Sequence, residues 1–295
     1  MTAARRDFRF GVTLLAPTSR ADWIQKCRRA EELGYDVVGV ADHLTMPAPF
    51  PAMMLAAEAT ERVRLATLVL NAPFYNPTLL AREAATADQF TDGRVELGLG
   101  AGYVREEFET AGITFESAGK RVEQLAATAA TLRRSFADPE YQPRPAQSSG
   151  PPLAIAGWGD RLLRVAADYA DIVGLTGAAP AYNGGPLRFV GLAAVAERMT
   201  YLRELLGSRA EDVELNILLQ RVVPPDERSA ALEMYGQYLP ADVADRPEEL
   251  PTLLFGTPKE MARRLEERRE RFGFSYITVL ENSMEQMGPV IELLR

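Results

Sequence analysis

The stretch Glu32-Leu33-Gly34-Tyr35-Asp36-Val37-Val38 predicts the end of a helix, a glycine and the start of an apolar run. The same arrangement recurs at Arg271-Phe272-Gly273-Phe274-Ser275-Tyr276-Ile277 and, more loosely, at Thr91-Asp92-Gly93-Arg94-Val95-Glu96-Leu97. A glycine just past the last helical residue can take the left-handed conformation that turns the chain back toward a sheet. The three stretches therefore predict helix-to-strand joints, which repeat in α/β folds.

Short apolar runs alternate with longer amphipathic segments along the chain, which is the pattern of repeated βα units and a parallel sheet. Most runs are almost continuously apolar, as expected for strands that are buried on both faces. Eight such strands favour a (β/α)8 TIM barrel, with a doubly wound open sheet as the alternative. No linker divides the chain, so residues 1–295 are expected to form a single domain. The predicted strands are Phe8–Leu14, Asp36–Val40, Arg64–Leu70, Arg94–Leu99, Pro152–Ala156, Asp171–Leu175, Val213–Leu219 and Tyr276–Leu280.

Two insertions interrupt the regular spacing of the second half. Ala178–Pro186 follows the sixth predicted strand, and the acidic segment Pro224–Pro251, predicted to contain a helix, follows the seventh. Loops that follow barrel strands form the rim of the active site, so both insertions are candidate lids or substrate walls. Ordinary surface loops would have the same composition. Helix starts are expected at Asn76-Pro77, near Asp160, and at the capping box Thr257-Pro258-Lys259-Glu260.

Composition excludes several classes of function. With one histidine (His43) and one cysteine (Cys27), the chain can form neither an internal disulfide nor a zinc site of the usual Cys and His sets, and no metal site is predicted. With 33 basic and 41 acidic residues, its net charge of −8 offers no general attraction for nucleic acid. No signal peptide or membrane-spanning apolar run is evident, so a cytoplasmic protein without membrane contact is expected.

The only histidine lies at the exit of the second predicted strand, in Val40-Ala41-Asp42-His43. Catalytic residues of a barrel are expected at that end of a strand, and a neutral imidazole can donate to or accept from a bound ring near physiological pH. A structural histidine that binds a loop carbonyl is the alternative interpretation.

Two glycine-rich stretches follow predicted strands. Gly98-Leu99-Gly100-Ala101-Gly102-Tyr103 would let a ligand approach the backbone, or would let two backbones pack closely. Gly157-Trp158-Gly159-Asp160-Arg161 opens a helix, whose free N–H groups and positive dipole end suit a phosphate, although a plain tight turn would look the same. Trp158 could stack on a ring or plug the barrel rim.

In combination, these residues resemble the luciferase-like monooxygenase superfamily, and within it the bacterial branch of oxidoreductases that use the deazaflavin coenzyme F420. The resemblance covers nearly the whole chain, except for the region between Thr176 and Pro251. It is carried by Phe10-Gly11-Val12-Thr13, Ala30–Asp36, Ala41-Asp42-His43, Arg64–Thr67, Asn76-Pro77, Ala84–Asp88, Asp92–Tyr103, Arg105–Phe108 and Gly256-Thr257-Pro258.

The resemblance implies an enzyme that transfers a hydride between F420 and a small organic substrate at the carboxyl face of the barrel. His43 would donate a proton or polarise the substrate, with Asp42 beside the ring and Tyr103 or Glu106 as further sources of the proton. A non-proline cis peptide between Leu68 and Val69 would support the back of the ring. The implied cofactor-binding residues are Asp42, His43, Leu68, Val69, Asn71, Ala101, Gly102 and Glu106 at the ring, and Gly157, Trp158, Gly159, Arg161, Leu162 and Thr176 at the phosphate and tail.

Other functions and an assembly remain open. A second hypothesis is an FMN-dependent two-component monooxygenase, which would have a similar ring site. A third hypothesis is a non-catalytic flavin- or deazaflavin-binding protein. Oxidation of glucose 6-phosphate is not expected, because Tyr103 stands where sugar-phosphate dehydrogenases of this family carry an acidic residue. The family also implies a homodimer through the second and third helices. The apolar stretch Met53–Ala57 fits that interface and fits ordinary core packing equally well.

Overall fold

Eight parallel strands close into a barrel in a computed structural model that describes residues 6–15, 17–179, 188–239, 243 and 246–295. The first strand pairs with both the second and the last, so the sheet is closed and the open-sheet alternative is wrong. The predicted (β/α)8 TIM barrel is confirmed. Its strands are β1 (Arg9–Leu14), β2 (Val37–Val40), β3 (Arg64–Asn71), β4 (Val95–Gly100), β5 (Leu153–Ala156), β6 (Ile172–Leu175), β9 (Glu214–Leu219) and β12 (Phe274–Leu280), and two short pairs lie outside it, β7 (Ala178–Ala179) with β8 (Arg188–Phe189) and β10 (Arg221–Val223) with β11 (Leu253–Phe255).

The predicted barrel strands agree with the observed ones to within two residues at each end. The joints behave as predicted, because Gly34 and Gly273 have φ values of 86° and 88°. Thr257 forms the predicted capping box with Glu260, and the Asn76 side chain accepts from the N–H groups of Thr78 and Leu79. The α-helices of the described residues are α1 (Arg20–Glu32), α2 (Pro49–Ala59), α3 (Pro77–Phe90), α4 (Arg105–Thr110), α5 (Ala118–Ala137), α6 (Asp160–Tyr169), α7 (Leu192–Leu206), α8 (Arg228–Tyr235), α9 (Pro258–Phe272) and α10 (Met284–Leu294).

A charged network fills the amino-terminal end of the barrel. Glu96 of β4 is almost fully buried, with Arg9 Nη2 of β1 at 3.0 Å and Arg64 Nε of β3 at 2.5 Å from its Oε1. Arg9 also lies 3.6 Å from the Glu214 carboxylate of β9, and stacks 4.5 Å from the centre of the Tyr276 ring. Since β1 and β4 are not neighbours in the sheet, the Arg9 to Glu96 contact crosses the barrel interior and ties opposite strands together.

The β7–β8 pair, which flanks the first insertion, contacts the second insertion. Phe189 of β8 packs its ring 5.9 Å from that of Tyr235 and 6.4 Å from that of Tyr238, both in the second insertion. Most of the first insertion lies within residues 180–187, outside the described residues. The second insertion contains α8, as predicted, while the pairing of β10 and β11 on either side of it was not predicted. Apolar residues of the insertion and of these two strands form a separate small core that includes Val223, Ala231, Val243, Leu250, Leu253 and Phe255.

A buried arginine holds the end of the second insertion. Arg268 of α9 donates to the backbone carbonyls of Leu250, Pro251 and Leu253. Burial disfavours its charged form and lowers the pKa of the guanidinium to about 10. The three carbonyls supply the polar contacts that this buried cation needs, so Arg268 joins the insertion to the helix that follows it.

Candidate active site

Asp42 connects the end of β2 to the end of β3. Its Oδ2 accepts a hydrogen bond from the backbone N–H of Asn71 at 2.9 Å, and the Tyr75 side chain also hydrogen-bonds to it. Burial raises the pKa of this carboxyl group, and the two hydrogen bonds partly oppose the rise. Asp42 is therefore engaged in holding the loop that carries His43.

The structure places His43 against a carboxylate. Nδ1 of His43 lies 2.9 Å from Oε1 of Glu107, whose side chain is only 14% exposed. The ring of Tyr103 meets the His43 ring edge-on, with 6.1 Å between the ring centres, and the Tyr103 side chain is largely exposed. An imidazole, a phenol and two carboxylates thus meet where β2, β3 and β4 end, which is where a barrel carries its active site.

Glu107 was missed by the sequence analysis, which singled out Glu106. Glu106 is exposed in the structure, while Glu107, the next residue of α4, faces His43. Phe108 sets this orientation, because it is fully buried and packs edge-on against Phe74 and Phe115 at ring distances of 4.8 and 5.0 Å. Phe108 is the sole apolar residue of this six-residue helix. It was therefore the one residue from which the buried side of the helix could have been predicted.

The strand-four glycines make room for an irregular part of β3. The Leu68–Val69 peptide is cis, as the resemblance implies, and the register of β3 against β4 shifts between Thr67 and Leu70. A Cβ atom on Gly98 would lie 2.1 Å from the Thr67 carbonyl oxygen, and one on Gly100 would lie 2.7 Å from Val69 Cγ2. Gly98 is thus needed for close backbone packing and Gly100 for packing of the Val69 side chain, which favours the packing interpretation of the motif.

Gly102 positions the turn that leads to Tyr103 and Glu107. Its φ is 69°, and a Cβ atom there would lie 2.3 Å from Asn71 Oδ1 and 2.8 Å from Phe108 Cζ. Its carbonyl oxygen accepts from Nε of Arg121 on α5 at 3.2 Å. The turn therefore requires a residue without a side chain, and it rests directly on Asn71.

We expect Gly102→Ala to lower the free energy of unfolding by about 2–5 kcal/mol, since the unfavourable backbone conformation contributes about 1–2 kcal/mol and overpacking about 1–3 kcal/mol. Gly112→Ala is a matched control, because Gly112 also has a φ of 69° but no atom within 4 Å of the added Cβ. The control should lose only the conformational part, about 1–2 kcal/mol. Urea denaturation measures both, and equal losses would contradict the proposed close packing.

The residues expected to hold a phosphate and tail lie around the start of α6. Gly159 is its N-cap, no side chain caps this helix end, and the space beside Gly159 is open. Leu162 packs on Gly157, whose N–H donates to the Gly174 carbonyl at 3.0 Å. Arg161 is exposed and its guanidinium lies against Gly119 of α5, while Trp158 and Thr176 are half-buried.

The first turn of α5 touches both groups of candidate residues. Arg121 donates to the carbonyl of Gly102 in the ring group, and Gly119 lies against Arg161 in the tail group. Residues 101 and 102, predicted at the ring, are half-buried in the turn after β4. One residue of each predicted group thus contacts the same helix start.

The described residues show neither a metal site nor a membrane-spanning helix. No group of three or more His, Cys, Asp or Glu side chains is arranged to hold a metal ion in the described part of the chain. No helix among the described residues is long and apolar enough to cross a membrane.

A sequence model of luciferase-like monooxygenases matches residues 7–240, which is more than three quarters of the chain. The chain belongs to the luciferase-like monooxygenase family. Relatives of this luciferase-like protein include a monooxygenase and F420-dependent dehydrogenases.

Three comparisons illustrate the range of the family. The luciferase-like chain is 29% identical to 4-hydroxyprotoasukamycin monooxygenase of Streptomyces nodosus subsp. asukaensis over 196 residues, which cover 60% of this chain and 49% of that protein. It is 40% identical to F420-dependent glucose-6-phosphate dehydrogenase of Kribbella flavida over 101 residues, 31% of this chain and 30% of that one. The chain thus spans about half the length of these relatives or less. An F420-dependent secondary alcohol dehydrogenase in complex with an F420-acetone adduct has a TM-score of 0.74 at 20% identity over 97% of both chains, which shows a shared fold.

Proposed function

We propose that this luciferase-like enzyme depends on coenzyme F420 and transfers a hydride between the deazaflavin and a small organic substrate. The pairing of His43 with Glu107 at the carboxyl end of the barrel carries the proposal. Hydride transfer to or from a substrate needs a group that moves a proton at the same place, and an imidazole held by a carboxylate is such a group. The identity to an F420-dependent dehydrogenase, 40% over 101 residues, is higher than the 29% identity to the monooxygenase, and this supports F420 as the cofactor.

The barrel interior offers polar atoms that fit a heterocycle. Oγ1 of Thr13 and Oδ1 of Asn71 are buried and have no hydrogen-bond partner among the described residues. A Cβ on Gly39 would lie 3.2 Å from Thr13 Oγ1 and 3.4 Å from Leu68 Cβ, so Gly39 leaves the hydroxyl of Thr13 free of a neighbouring side chain on that side. Buried polar atoms without partners are rare, and the carbonyl and N–H groups of a flavin or deazaflavin ring would satisfy them.

The bound deazaflavin would supply the carbon that accepts or donates the hydride. His43 would move the proton at its Nε2 atom, with the Tyr103 hydroxyl beside it as a second proton source. We assign the carboxylate role to Glu107, which contacts His43, rather than to Glu106. The residues proposed to hold the cofactor are Asp42, His43, Leu68, Val69, Asn71, Ala101 and Gly102 at the ring, and Gly157, Trp158, Gly159, Arg161, Leu162 and Thr176 at the tail.

We further propose that the chain forms one domain and acts on a small-molecule substrate. Glucose 6-phosphate is not expected to be that substrate, because Tyr103 replaces the acidic residue of the sugar-phosphate dehydrogenases. The homodimer stays a prediction. Met53 and Ala56 of α2 are fully buried within the chain, which favours core packing for that stretch, whereas Leu79 and Phe90 of α3 expose more than half of their surface. Sedimentation of the purified protein measures its mass.

A paired titration tests the cofactor. Purified protein is titrated with F420 and with FMN, each oxidised and reduced, and the tighter ligand is then used in a substrate screen with and without oxygen. We expect tighter binding of F420 and turnover without oxygen. Tight binding of reduced FMN with oxygen consumption, and no response to F420, would refute the proposal.

An FMN-dependent two-component monooxygenase is the second candidate. The observation in its favour is the length of the match to 4-hydroxyprotoasukamycin monooxygenase, which extends over 60% of this chain. The oxygen dependence in the paired titration separates the two enzymes. Binding of either cofactor without turnover in a broad screen supports a non-catalytic binding protein instead.

A further inference from the structure

We propose that Glu107 is a positioning residue that fixes the tautomer of His43, with the proton on Nδ1 and a free lone pair on Nε2. The family resemblance includes Glu107 in the stretch Arg105–Phe108 but implied a role for Glu106, not for Glu107. The tautomer itself depends only on contacts within the chain, while its part in catalysis rests on the proposed function.

The contact geometry decides which nitrogen carries the proton. Nδ1 of His43 lies 2.9 Å from Oε1 of Glu107, which is hydrogen-bond distance. An ionised carboxylate can only accept, so Nδ1 must donate. In a neutral imidazole the other nitrogen then has no proton, and Nε2 is left as an acceptor.

Glu107 is held in place and its charge is directed at His43. Its neighbour Phe108 is buried between Phe74 and Phe115, so α4 cannot rotate without exposing that ring. Among the described residues, Glu107 has no ion-pair partner other than His43. Its low exposure leaves little competition from water, which strengthens the hydrogen bond.

The nearby carboxylate of Asp42 has a different task. It accepts from the Asn71 backbone N–H and from Tyr75, so it anchors the strand ends rather than the imidazole Nδ1. The two carboxylates thus divide the work, with Asp42 placing the loop and Glu107 orienting the ring. A proton taken up at Nε2 makes an imidazolium, which the adjacent Glu107 charge stabilises.

The consequence is a defined path for one proton. When the substrate is oxidised, its hydride leaves with the bonding electron pair to the cofactor, and the proton of the oxidised group goes to Nε2. In the reverse direction the imidazolium returns that proton from Nε2 to the substrate. A neutral ring that carries its proton on Nε2 has no free lone pair on that atom, so Nε2 could not accept the substrate proton.

The single histidine allows a direct test that needs no cofactor. Protein labelled with ¹⁵N at histidine gives signals from one imidazole only, and the two nitrogens of a neutral ring resonate far apart according to which one is protonated. In mildly alkaline buffer we expect the Nδ1–H form in the parent. Glu107→Ala should revert the ring to the Nε2–H form, which neutral imidazole favours in water.

Matched variants locate the effect. Glu109→Gln, on the same helix and exposed, should leave the imidazole spectrum of the parent unchanged. Glu107→Gln preserves size and should give a mixture of tautomers, because an amide can both donate and accept. An Nε2–H ring in the parent, or a change caused by Glu106→Gln in place of the Glu107 variants, would overturn the proposal.

Turnover tests the catalytic part. Partners that orient metal-ligating histidines contribute about 10–100-fold to activity, and we expect Glu107→Gln to lower kcat by at least a similar factor, with KM and cofactor affinity within about twofold. An unchanged kcat would refute the positioning role. Failure of F420 to bind would refute the proposed function alone, because the tautomer is measured without cofactor.

Discussion

Replacing His43 by alanine is expected to lower turnover by about 10²–10⁴-fold, the usual contribution of a general acid or base. Cofactor binding should be largely retained, because Asp42 still accepts from Asn71 and the β3 backbone keeps its place. Steady-state kinetics measure kcat, and a fluorescence titration measures cofactor affinity.

A second variant separates proton transfer from shape. His43→Gln keeps a polar side chain of similar reach but cannot exchange a proton, so its kcat should fall as far as that of the alanine variant. A rate unchanged in both would remove His43 from catalysis. A loss of cofactor affinity without loss of turnover would favour a purely binding role.

Replacing Glu96 by alanine is expected to give the largest loss of stability, about 3–5 kcal/mol. The reason is that Arg9 and Arg64 would both lose a partner that is almost fully buried, within 3.0 and 2.5 Å of their guanidinium groups. Part of each arginine is exposed, so water can relieve some of the cost. Urea denaturation at neutral pH measures the change.

Glu285→Ala supplies the matched control for Glu96. Its carboxylate contacts Arg29 at 2.7 Å, but both side chains are about half exposed. Exposed ion pairs contribute about 0–1 kcal/mol, so the control should change the unfolding free energy by no more than that. Equal losses for the two variants would show that burial of the barrel network adds nothing.

The barrel could be predicted from sequence because its signals are local and repeated. Apolar runs of strand length, glycines such as Gly34 and Gly273 after helices, and the capping box at Thr257 each act within a few residues. Their physics does not depend on distant parts of the chain. Strand positions therefore came out to within two residues, and the number of repeats selected the closed sheet.

The candidate site was only partly predictable. Asp42 and Asn71 meet because Asp42 follows β2 and Asn71 ends β3, its neighbour in the sheet, and this adjacency follows from the fold. The choice between Glu106 and Glu107 depends on how one short helix is rotated, which Phe108 settles by packing against rings 34 residues before it and seven after it. A hydrophobic period cannot be read from six residues.

The second insertion was less predictable still. The pairing of β10 with β11 joins residues about 30 positions apart, and its small core depends on several contacts at once. Arg268 reads as a surface cation within a charged helix, yet it lies buried against three carbonyls. Its spacing from Leu265 and Phe272 puts it on the buried face of the helix, but the three carbonyls that make burial of a cation possible come from elements that are set by the fold.

Because the ring of Phe189 packs against Tyr235 and Tyr238, the segment after β6 and the second insertion cannot be replaced independently of each other. A chimera that imports the segment after β6 from a related enzyme would meet a foreign surface on α8. Transfer of the second insertion alone would likewise leave Phe189 without its aromatic partners and would remove carbonyls that Arg268 contacts. Redesign of this rim should therefore move residues 177–190 and 220–255 together with the face of α9 that carries Arg268.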